Sequence, residues 1–260
     1  NILAKKYNVE LTQHHRAIYD AEATAYIFIK MLYQLKQLNV VNHKDINDRL
    51  MTQDAYKRSM PSHVTLLVKT QKGLKNLFKI VSYSLTDNFY KMPRIRKDVL
   101  EKYREGILVG SACDQGEVFT AMMQKPYEEA KDIAEFYDYL EVFPKALYRR
   151  LLDREIVRSE ETLEEIITNI IKVGEELDKP VAATGNVHYL DESDKLCREI
   201  LVKSNPGNPL SRGILPEAHF RSTAEMYEDF SFLDEETRRK IVIDTPNEIA
   251  DSMDVVKPIK

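Results

Sequence analysis

A histidine and an aspartate five residues apart, His15 and Asp20, form the pattern in this sequence with the clearest chemical meaning. They lie at the start of an apolar segment that predicts a helix. Five residues at about 100° each leave two side chains roughly 140° apart, so the pair can share a site only if His15 precedes the helix and Asp20 lies in its first turns. That geometry suits metal-assisted phosphodiester hydrolysis, in which a carboxylate holds a divalent ion and an imidazole deprotonates the attacking water.

The run HHRAIYDAEAT resembles the last motif of proofreading exonucleases that carry a histidine in this motif. The family pattern is His-Arg-Ala, two variable residues, Asp-Ala and then Thr. The resemblance implies that His15 is a general base and that Asp20 is a ligand of Mg²⁺ or Mn²⁺. The alternative is a helix start with a surface histidine and an Arg16–Asp20 pair. In the family the other carboxylates lie upstream, so we expect this segment alone to be inactive.

Composition and charge limit the classes of protein that fit. The chain has 260 residues, of which 43% are hydrophobic, enough for a substantial core. Its net charge of −4 argues against a general nucleic-acid coat, although local basic patches remain open. Two cysteines argue against a disulfide framework and for a reducing compartment. The sequence has no apolar run of transmembrane length and no leader, which predicts a cytoplasmic protein without membrane contact.

The hydrophobic periodicity predicts a helix over residues 15–38, a polar segment up to residue 62, and then alternating strands and helices. The predicted strands span residues 63–69, 106–113, 139–143 and 181–190, and the predicted helices span 73–84, 126–138, 159–177, about 222–230 and about 235–253. The helix over 159–177 carries Thr162 and Glu165 at capping-box spacing. This alternation predicts a parallel α/β sheet or barrel, in which functional groups gather near strand ends.

Polar residues lie on or beside all four predicted strands. His63 opens the first, Cys113 ends the second, Glu141 lies inside the third, and Asn186 and His188 lie near the end of the fourth. A buried glutamate is unfavourable unless it is paired or bound to a metal. Histidine and cysteine are acceptable Zn²⁺ ligands, with carboxylates as further options. Each residue alone fits a satisfied core or loop position, whereas His63, Cys113 and His188 together favour a shared site.

The ordered motifs resemble a known domain family. They are SHVTLLVKT, RIRKDVLEKYREGILVGSACDQGEVF, YDYLEVFPKALY and KPVAATGNVHYLDESD. Their order is similar to the PHP (polymerase and histidinol phosphatase) domain of bacterial DNA polymerase III alpha subunits, most closely the PolC type, in which an exonuclease domain is inserted within the PHP domain. The resemblance implies the C-terminal end of a 3′–5′ exonuclease domain over residues 1–40, a linker or re-entry segment over 41–62, and an incomplete PHP-type (β/α) barrel over 63–260.

The resemblance also implies a metal site. His63, Cys113 and His188 match expected ligand positions for Zn²⁺ or Mn²⁺. Asn186 stands where many PHP domains have aspartate and would bind a cation more weakly, and Glu141 is expected near the site. The opening His-x-His motif of the family is absent from this chain. We therefore expect that a complete three-metal phosphatase site cannot be built from these residues alone.

The function implied is that of a segment of a replicative DNA polymerase, which performs template-directed synthesis with 3′–5′ proofreading and uses Mg²⁺ or Mn²⁺. In it the PHP part is mainly a scaffold. The implied partners are DNA, the polymerase domain of the same chain, and replisome subunits such as the sliding clamp and clamp loader. The alternatives are an active metal-dependent phosphoesterase and a non-catalytic replisome interaction module. Two basic stretches, 92–97 and 145–158, could contact phosphates or form a solvated face.

Overall fold

The structure is a computed structural model. It describes residues 2–10, 16–40, 42, 45–46, 57, 59–205, 207, 211 and 213–258. The chain divides into two compact units, Asn1–Met60 and Pro61–Lys260. No helix in these described ranges is both long and apolar enough to cross a bilayer.

The first unit contains helices α1 (Ile2–Tyr7) and α2 (Ala17–Gln37). The Tyr7 hydroxyl donates to Gln34 Oε1 at 3.1 Å, and Lys30 Nζ donates to the Tyr7 carbonyl at 2.7 Å, so α1 is tied to α2 by polar contacts. The only buried residue of α2 is Ala23. Helix α2 covers residues 17–37 of the helix predicted over 15–38, and that prediction is confirmed for the described residues.

The second unit contains four strands and ten α-helices in its described residues. The strands are β1 (Thr65–Val68), β2 (Ile107–Gly110), β3 (Leu140–Val142) and β4 (Val181–Ala183). The helices are α3 (Gln71–Leu85), α4 (Lys97–Lys102), α5 (Glu117–Gln124), α6 (Tyr127–Ala134), α7 (Arg149–Asp153), α8 (Glu160–Glu176), α9 (Lys195–Lys203), α10 (Thr223–Asp229), α11 (Glu235–Arg239) and α12 (Thr245–Asp251). A π-helical turn, Lys240–Asp244, joins α11 to α12.

The directions of the strands differ from the parallel arrangement that the sequence predicts. β1 pairs with β2 in the antiparallel sense, whereas β3 and β4 are parallel, and a parallel bridge between Gly110 and Tyr139 connects β2 to β3. The described strands therefore form one antiparallel and one parallel two-stranded sheet, which corrects the expectation of a sheet that is parallel throughout.

Two glycines explain the antiparallel pair. The backbone N–H groups of Lys69 and Thr70 donate to the Gly106 carbonyl at 2.8 and 3.3 Å, so the chain leaving β1 lies beside the chain entering β2. A Cβ atom on Gly73 would lie 1.8 Å from the Gly106 carbonyl oxygen, and Gly106 itself has φ of 78°. Only glycine permits this approach at both positions. Such a contact is tertiary, which is why periodicity alone cannot predict the direction of β2.

Helix α8 packs against the β3–β4 pair and forms much of the core. Its buried side chains recur at three- and four-residue steps, and they are Leu163, Ile166, Ile167, Ile170, Ile171 and Val173. The predicted capping box is wrong in position: the N-cap is Ser159, whose hydroxyl accepts from the Thr162 N–H at 3.3 Å. Thr162 and Glu165 lie inside a helix that has already begun.

The strand predicted over 181–190 is too long. β4 ends at Ala183, and Asn186 has φ of 40°, a left-handed conformation that interrupts a strand. After this break the chain pairs with another segment instead, since the His188 N–H donates to the Ala218 carbonyl at 2.8 Å and Tyr189 forms a parallel bridge with His219.

Candidate functional site

The antiparallel pairing of β1 and β2 brings His63 and Cys113 together. Thr65 lies opposite Gly110, so the residues before β1 and after β2 emerge at the same end of the sheet. The His63 N–H donates to the Gln115 carbonyl at 3.0 Å. The His63 Nδ1 atom then lies 3.2 Å from Cys113 Sγ, a hydrogen-bond distance between residues 50 positions apart in sequence.

The loop over residues 111–116 presents Cys113 to His63. Ala112 has φ of 58°, and the Gly116 N–H donates to the Cys113 carbonyl at 2.7 Å. A Cβ atom on Gly116 would lie 2.1 Å from the Ser111 carbonyl oxygen. The tight turn that positions the thiol therefore requires glycine at its end.

The thiol of Cys113 is partly buried. Burial raises its pKa, and the charge of Asp114 adds to the increase. A thiol with a raised pKa stays protonated at neutral pH and is a poor nucleophile. The arrangement with His63 is therefore a hydrogen bond between a neutral thiol and an imidazole, not an activated thiolate.

Glu141 links the loop after β2 to the chain after β4. Its side chain is buried, and Oε1 accepts from the Ala112 N–H at 3.2 Å while Oε2 accepts from the Thr184 hydroxyl at 3.0 Å. Burial and then the Glu141 charge raise the pKa of Tyr139. A Cβ atom on Gly110 would lie 2.5 Å from the Tyr139 hydroxyl oxygen, so this polar cluster also depends on a glycine.

Sequence reasoning missed the aromatic residue beneath the site. Tyr148 is fully buried, its ring stacks on Phe119 at 4.6 Å, and its hydroxyl accepts from the Phe143 N–H at 3.1 Å. Its pKa is raised well above the ordinary value by burial and, to a smaller extent, by Asp114, Cys113 and Glu141. Asp114 also forms an ion pair with Arg150. The only sequence signal was the run YLEVFPKALY, whose aromatic residues do not reveal what they pack against.

His188 lines a different feature, a cavity of about 610 Å³. Burial and then the charge of Arg198 lower the pKa of His188, so its imidazole is neutral at pH 7. Asn186, two residues before it, is exposed. The cavity is lined by His188, Tyr189, Leu190, Asp194, Cys197, Arg198, Leu201, Val202 and Asn205.

The structure thus brings together two of the three expected metal ligands, His63 and Cys113. Within the described ranges, no group of three or more His, Cys, Asp or Glu side chains lies close enough to hold one metal ion. His63 and Cys113 match two positions of a Zn²⁺ shell, and in the described part of the chain no third His, Cys, Asp or Glu side chain lies beside them. These residues do not by themselves form a closed metal site, and ligation by His188, Asn186 or Glu141 stays a prediction.

Of the exonuclease-like pair His15 and Asp20, only Asp20 lies among the residues that the structure describes. Asp20 is exposed in the first turn of α2, and its carbonyl accepts from the Thr24 hydroxyl at 2.7 Å. His15 lies outside the described residues. Arg16 and Asp20, which are both described, form no ion pair with each other.

Comparison with known proteins identifies the family. The PHP domain model matches residues 11–149, more than half of the chain, and the chain therefore belongs to the PHP domain family. At the level of single proteins, the chain is 60% identical over all 260 residues to the DNA polymerase III PolC-type of Staphylococcus haemolyticus (strain JCSC1435). It is 59% identical over the same length to DNA polymerase III PolC-type of Staphylococcus aureus (strains bovine RF122 / ET3-1 and MW2). The chain spans 18% of the length of these relatives.

Proposed function

We propose that this chain is part of a PolC-type replicative DNA polymerase, an enzyme that extends a primer under template direction and proofreads with a 3′–5′ exonuclease. The observation that carries the proposal is the identity of 60% across the whole chain to a protein of that name. The polymerase would act on DNA in the cytoplasm, with Mg²⁺ or Mn²⁺ as cofactor. Its other partners would be the polymerase domain of the same chain and replisome subunits such as the sliding clamp and clamp loader.

Residues 1–40 are, in this proposal, the C-terminal end of the exonuclease domain, with His15 as general base and Asp20 as metal ligand. The character of α2 supports this assignment. Phe28, Ile29, Leu32 and Tyr33 are all exposed, although a helix normally buries its apolar stripe. A helix at the end of a larger domain would expose its apolar side chains in this way when the rest of that domain is not present. Residues 41–62 would then be the linker into the PHP domain.

Residues 63–260 form, in this proposal, most of a PHP barrel that acts mainly as a scaffold. The chemistry of the polar cluster supports a structural role. Both oxygens of Glu141 accept hydrogen bonds from the protein, and these bonds link the loop after β2 to the chain after β4. A carboxylate engaged in this way holds loops together and has little free capacity for a substrate.

An active phosphoesterase is the second candidate, and the His63–Cys113 contact is the observation that favours it. PHP domains and DNA polymerases are in general metal-dependent. A Zn²⁺ or Mn²⁺ site with His63, Cys113 and His188 would require His188 to approach the other two. Near-stoichiometric metal in the purified polymerase, together with loss of phosphoester hydrolysis but no loss of stability in His188→Ala, would establish this candidate over the scaffold.

The coding sequence on either side of this chain tests the proposal directly. We expect an Asp-x-Glu strand of the exonuclease shortly before Asn1, a His-x-His motif further upstream, and a polymerase domain after Lys260. An open reading frame that encodes neither nuclease nor polymerase sequence would disprove the assignment. A chain with a PHP domain but no exonuclease motif would disprove the role given to His15 and Asp20.

A further inference from the structure

Positive charge is concentrated in one stretch of this acidic chain. Residues 71–104 contain nine Lys or Arg and three Asp or Glu, a net charge of +6, whereas the whole chain carries −4. Helix α3 has three lysines and no acidic residue. Such local concentration against an opposite overall charge is the electrostatic feature expected of a surface that binds anions.

Eight of the nine positive charges in this stretch fall into two groups, and the ninth, Arg94, lies 5.5 Å from the centre of the Tyr90 ring. Some are neutralised by carboxylates, in the pairs Lys72–Glu105, Arg96–Asp98, Lys97–Glu117 and Arg104–Glu101. Others are exposed and form no ion pair with any described carboxylate, and they are Lys75, Lys79, Lys91 and Lys102. These four lysines are available to an anionic ligand without first breaking an internal salt bridge.

Aromatic rings alternate with these lysines. Lys79 and Lys102 lie 5.2 and 5.4 Å from the centre of the Tyr103 ring, and Tyr83 stacks on Tyr103 with a centroid distance of 5.6 Å. Lys91 lies 5.5 Å from the centre of the Tyr90 ring. The rings keep the ammonium groups beside flat apolar surface instead of leaving them extended into solvent.

Two further rings in the same stretch are exposed. Phe78 is 56% exposed on α3, one residue before Lys79, and Phe89 is 48% exposed two residues before Lys91. An exposed ring next to a cation provides a stacking surface for a base beside a contact for its phosphate. A duplex does not offer its base faces in this way, because they are stacked on one another.

We propose that residues 75–103 form a binding surface for single-stranded nucleic acid, on which Lys75, Lys79, Lys91 and Lys102 contact phosphates while Phe78 and Phe89 stack with bases. An acidic protein segment would also satisfy the lysines. It would not account for aromatic rings interleaved with them along the surface. This surface goes beyond the proposed polymerase assignment and does not depend on it, because it follows from the charge and ring positions of this chain.

Binding of the 260-residue chain to a fluorescein-labelled oligo(dT) of about 20 nucleotides, followed by fluorescence anisotropy between about 50 and 200 mM NaCl, tests the surface. The variant Lys75→Gln/Lys79→Gln/Lys91→Gln/Lys102→Gln is expected to reduce the slope of log K against log salt by about 2.8, or about 0.7 per lost phosphate contact. Phe78→Ser/Phe89→Ser is expected to weaken binding at least about fivefold with an unchanged salt slope.

The matched control removes the same charge elsewhere, in Lys5→Gln/Lys36→Gln/Lys240→Gln/Lys257→Gln, all of which are exposed and form no ion pair with any described carboxylate. Its salt slope should match the unmodified chain, and circular dichroism melting should be unchanged in all three variants because every altered side chain is on the surface. An equal loss in the control would overturn the proposal. So would tighter binding to a duplex of the same sequence, or binding to poly-glutamate with none to oligo(dT).

Discussion

At the scale of single residues, the carboxylate of Glu141 is the group on which the candidate site most depends. It is buried and accepts one hydrogen bond from each of two loops, through Ala112 and Thr184. A buried acceptor that satisfies two donors is expensive to remove, since a buried and a part-buried donor are then left without their partner. The site is therefore held together by a residue that does not need to touch a ligand.

The first prediction concerns this carboxylate. Glu141→Ala should lower the free energy of unfolding by about 2–4 kcal/mol, measured by urea denaturation, because it leaves two donors unpaired and opens a cavity. Glu141→Gln should lower it less, since the amide oxygen can accept from the Ala112 N–H while the Thr184 hydroxyl rotates. Glu165→Ala, on the exposed side of α8, is the control and should have little effect. Equal stability of Glu141→Ala and the control would contradict this role.

Residue type alone identified part of the site. Glu141 is recognisable because a charge inside an apolar strand requires a partner, and His63 and Cys113 are recognisable because their side chains bind metals. Tyr148 and the Asp114–Arg150 pair could not be found in this way, because their importance depends on which side chains surround them. Nor does the local sequence indicate that His188 forms no group of three with His63 and Cys113 in the described part of the chain, because this depends on tertiary structure.

At the scale of elements, the contact between α3 and the turn before β2 sets the direction of the first strand pair. The close approach of Gly73 to Gly106 fixes where the chain re-enters the sheet, and that in turn brings His63 to Cys113. Strand positions were predictable from runs of β-branched and apolar residues, and helices from their period. Strand direction was not, because a glycine pair 33 residues apart carries no local signal.

The second prediction tests this contact. Gly73→Ala should lower the free energy of unfolding by about 1–3 kcal/mol, because the added Cβ meets backbone that cannot rotate away. The sign of this change in the free energy of unfolding is informative, because alanine in a helix is otherwise favoured over glycine by about 1 kcal/mol. The control is Gly213→Ala, where the nearest atom is the mobile end of Arg154 at 3.5 Å. A stabilised Gly73→Ala variant would show that the two segments are not in contact.

The third prediction concerns pH and the pairing of α6 with α8. Lys131 forms an ion pair with Glu176 and lowers the pKa of that carboxyl below its ordinary 4.5. A lowered pKa means stabilisation that is present above pH 4.5 and is lost as the pH falls through the lowered value. Lys131→Met should therefore have a slightly lower Tm than the parent at pH 7, and the two melting curves should converge below pH 4.

The control for this pair is Lys172→Met, which removes an exposed lysine 3.9 Å from the same carboxylate. Its effect on Tm at pH 7 should be smaller than that of Lys131→Met. A difference between Lys131→Met and the parent that persists undiminished at pH 3 would mean that packing, not the ion pair, accounts for the effect of Lys131.

At the scale of the whole molecule, the two units differ in how well they bury apolar surface. The described buried hydrophobic residues of Asn1–Met60 are only Ala4, Ala23 and Val40, whereas Pro61–Lys260 has a continuous core that includes Leu140, Val142 and Ile167. Among the described residues, the first unit therefore has no core comparable with that of the second. The loss of hydrophobic period predicts a boundary near residue 62, and the division into compact units falls at Met60, while the domain assignment on either side stays a prediction.

The fourth prediction follows from this difference. Residues 61–260 expressed alone should melt cooperatively at a Tm within a few degrees of the full chain, since the core lies within them. Hydrogen exchange of the full chain should show fast exchange in α2 and slow exchange in α8. Failure of residues 61–260 to melt cooperatively, or strong protection of α2 in the isolated chain, would contradict the assignment of all substantial core to the second unit.

In the function proposed above, the polar cluster around His63 and Cys113 supports the fold of this chain and does not perform chemistry of its own. The most direct measurement compares the longer polymerase carrying His63→Gln/Cys113→Ser with one carrying only Cys197→Ser, which changes the other free thiol. We predict a lower Tm for the double variant, with primer extension per folded molecule and 3′ trimming both unchanged at a permissive temperature. An unchanged Tm together with lost trimming or phosphoester hydrolysis would contradict the claim.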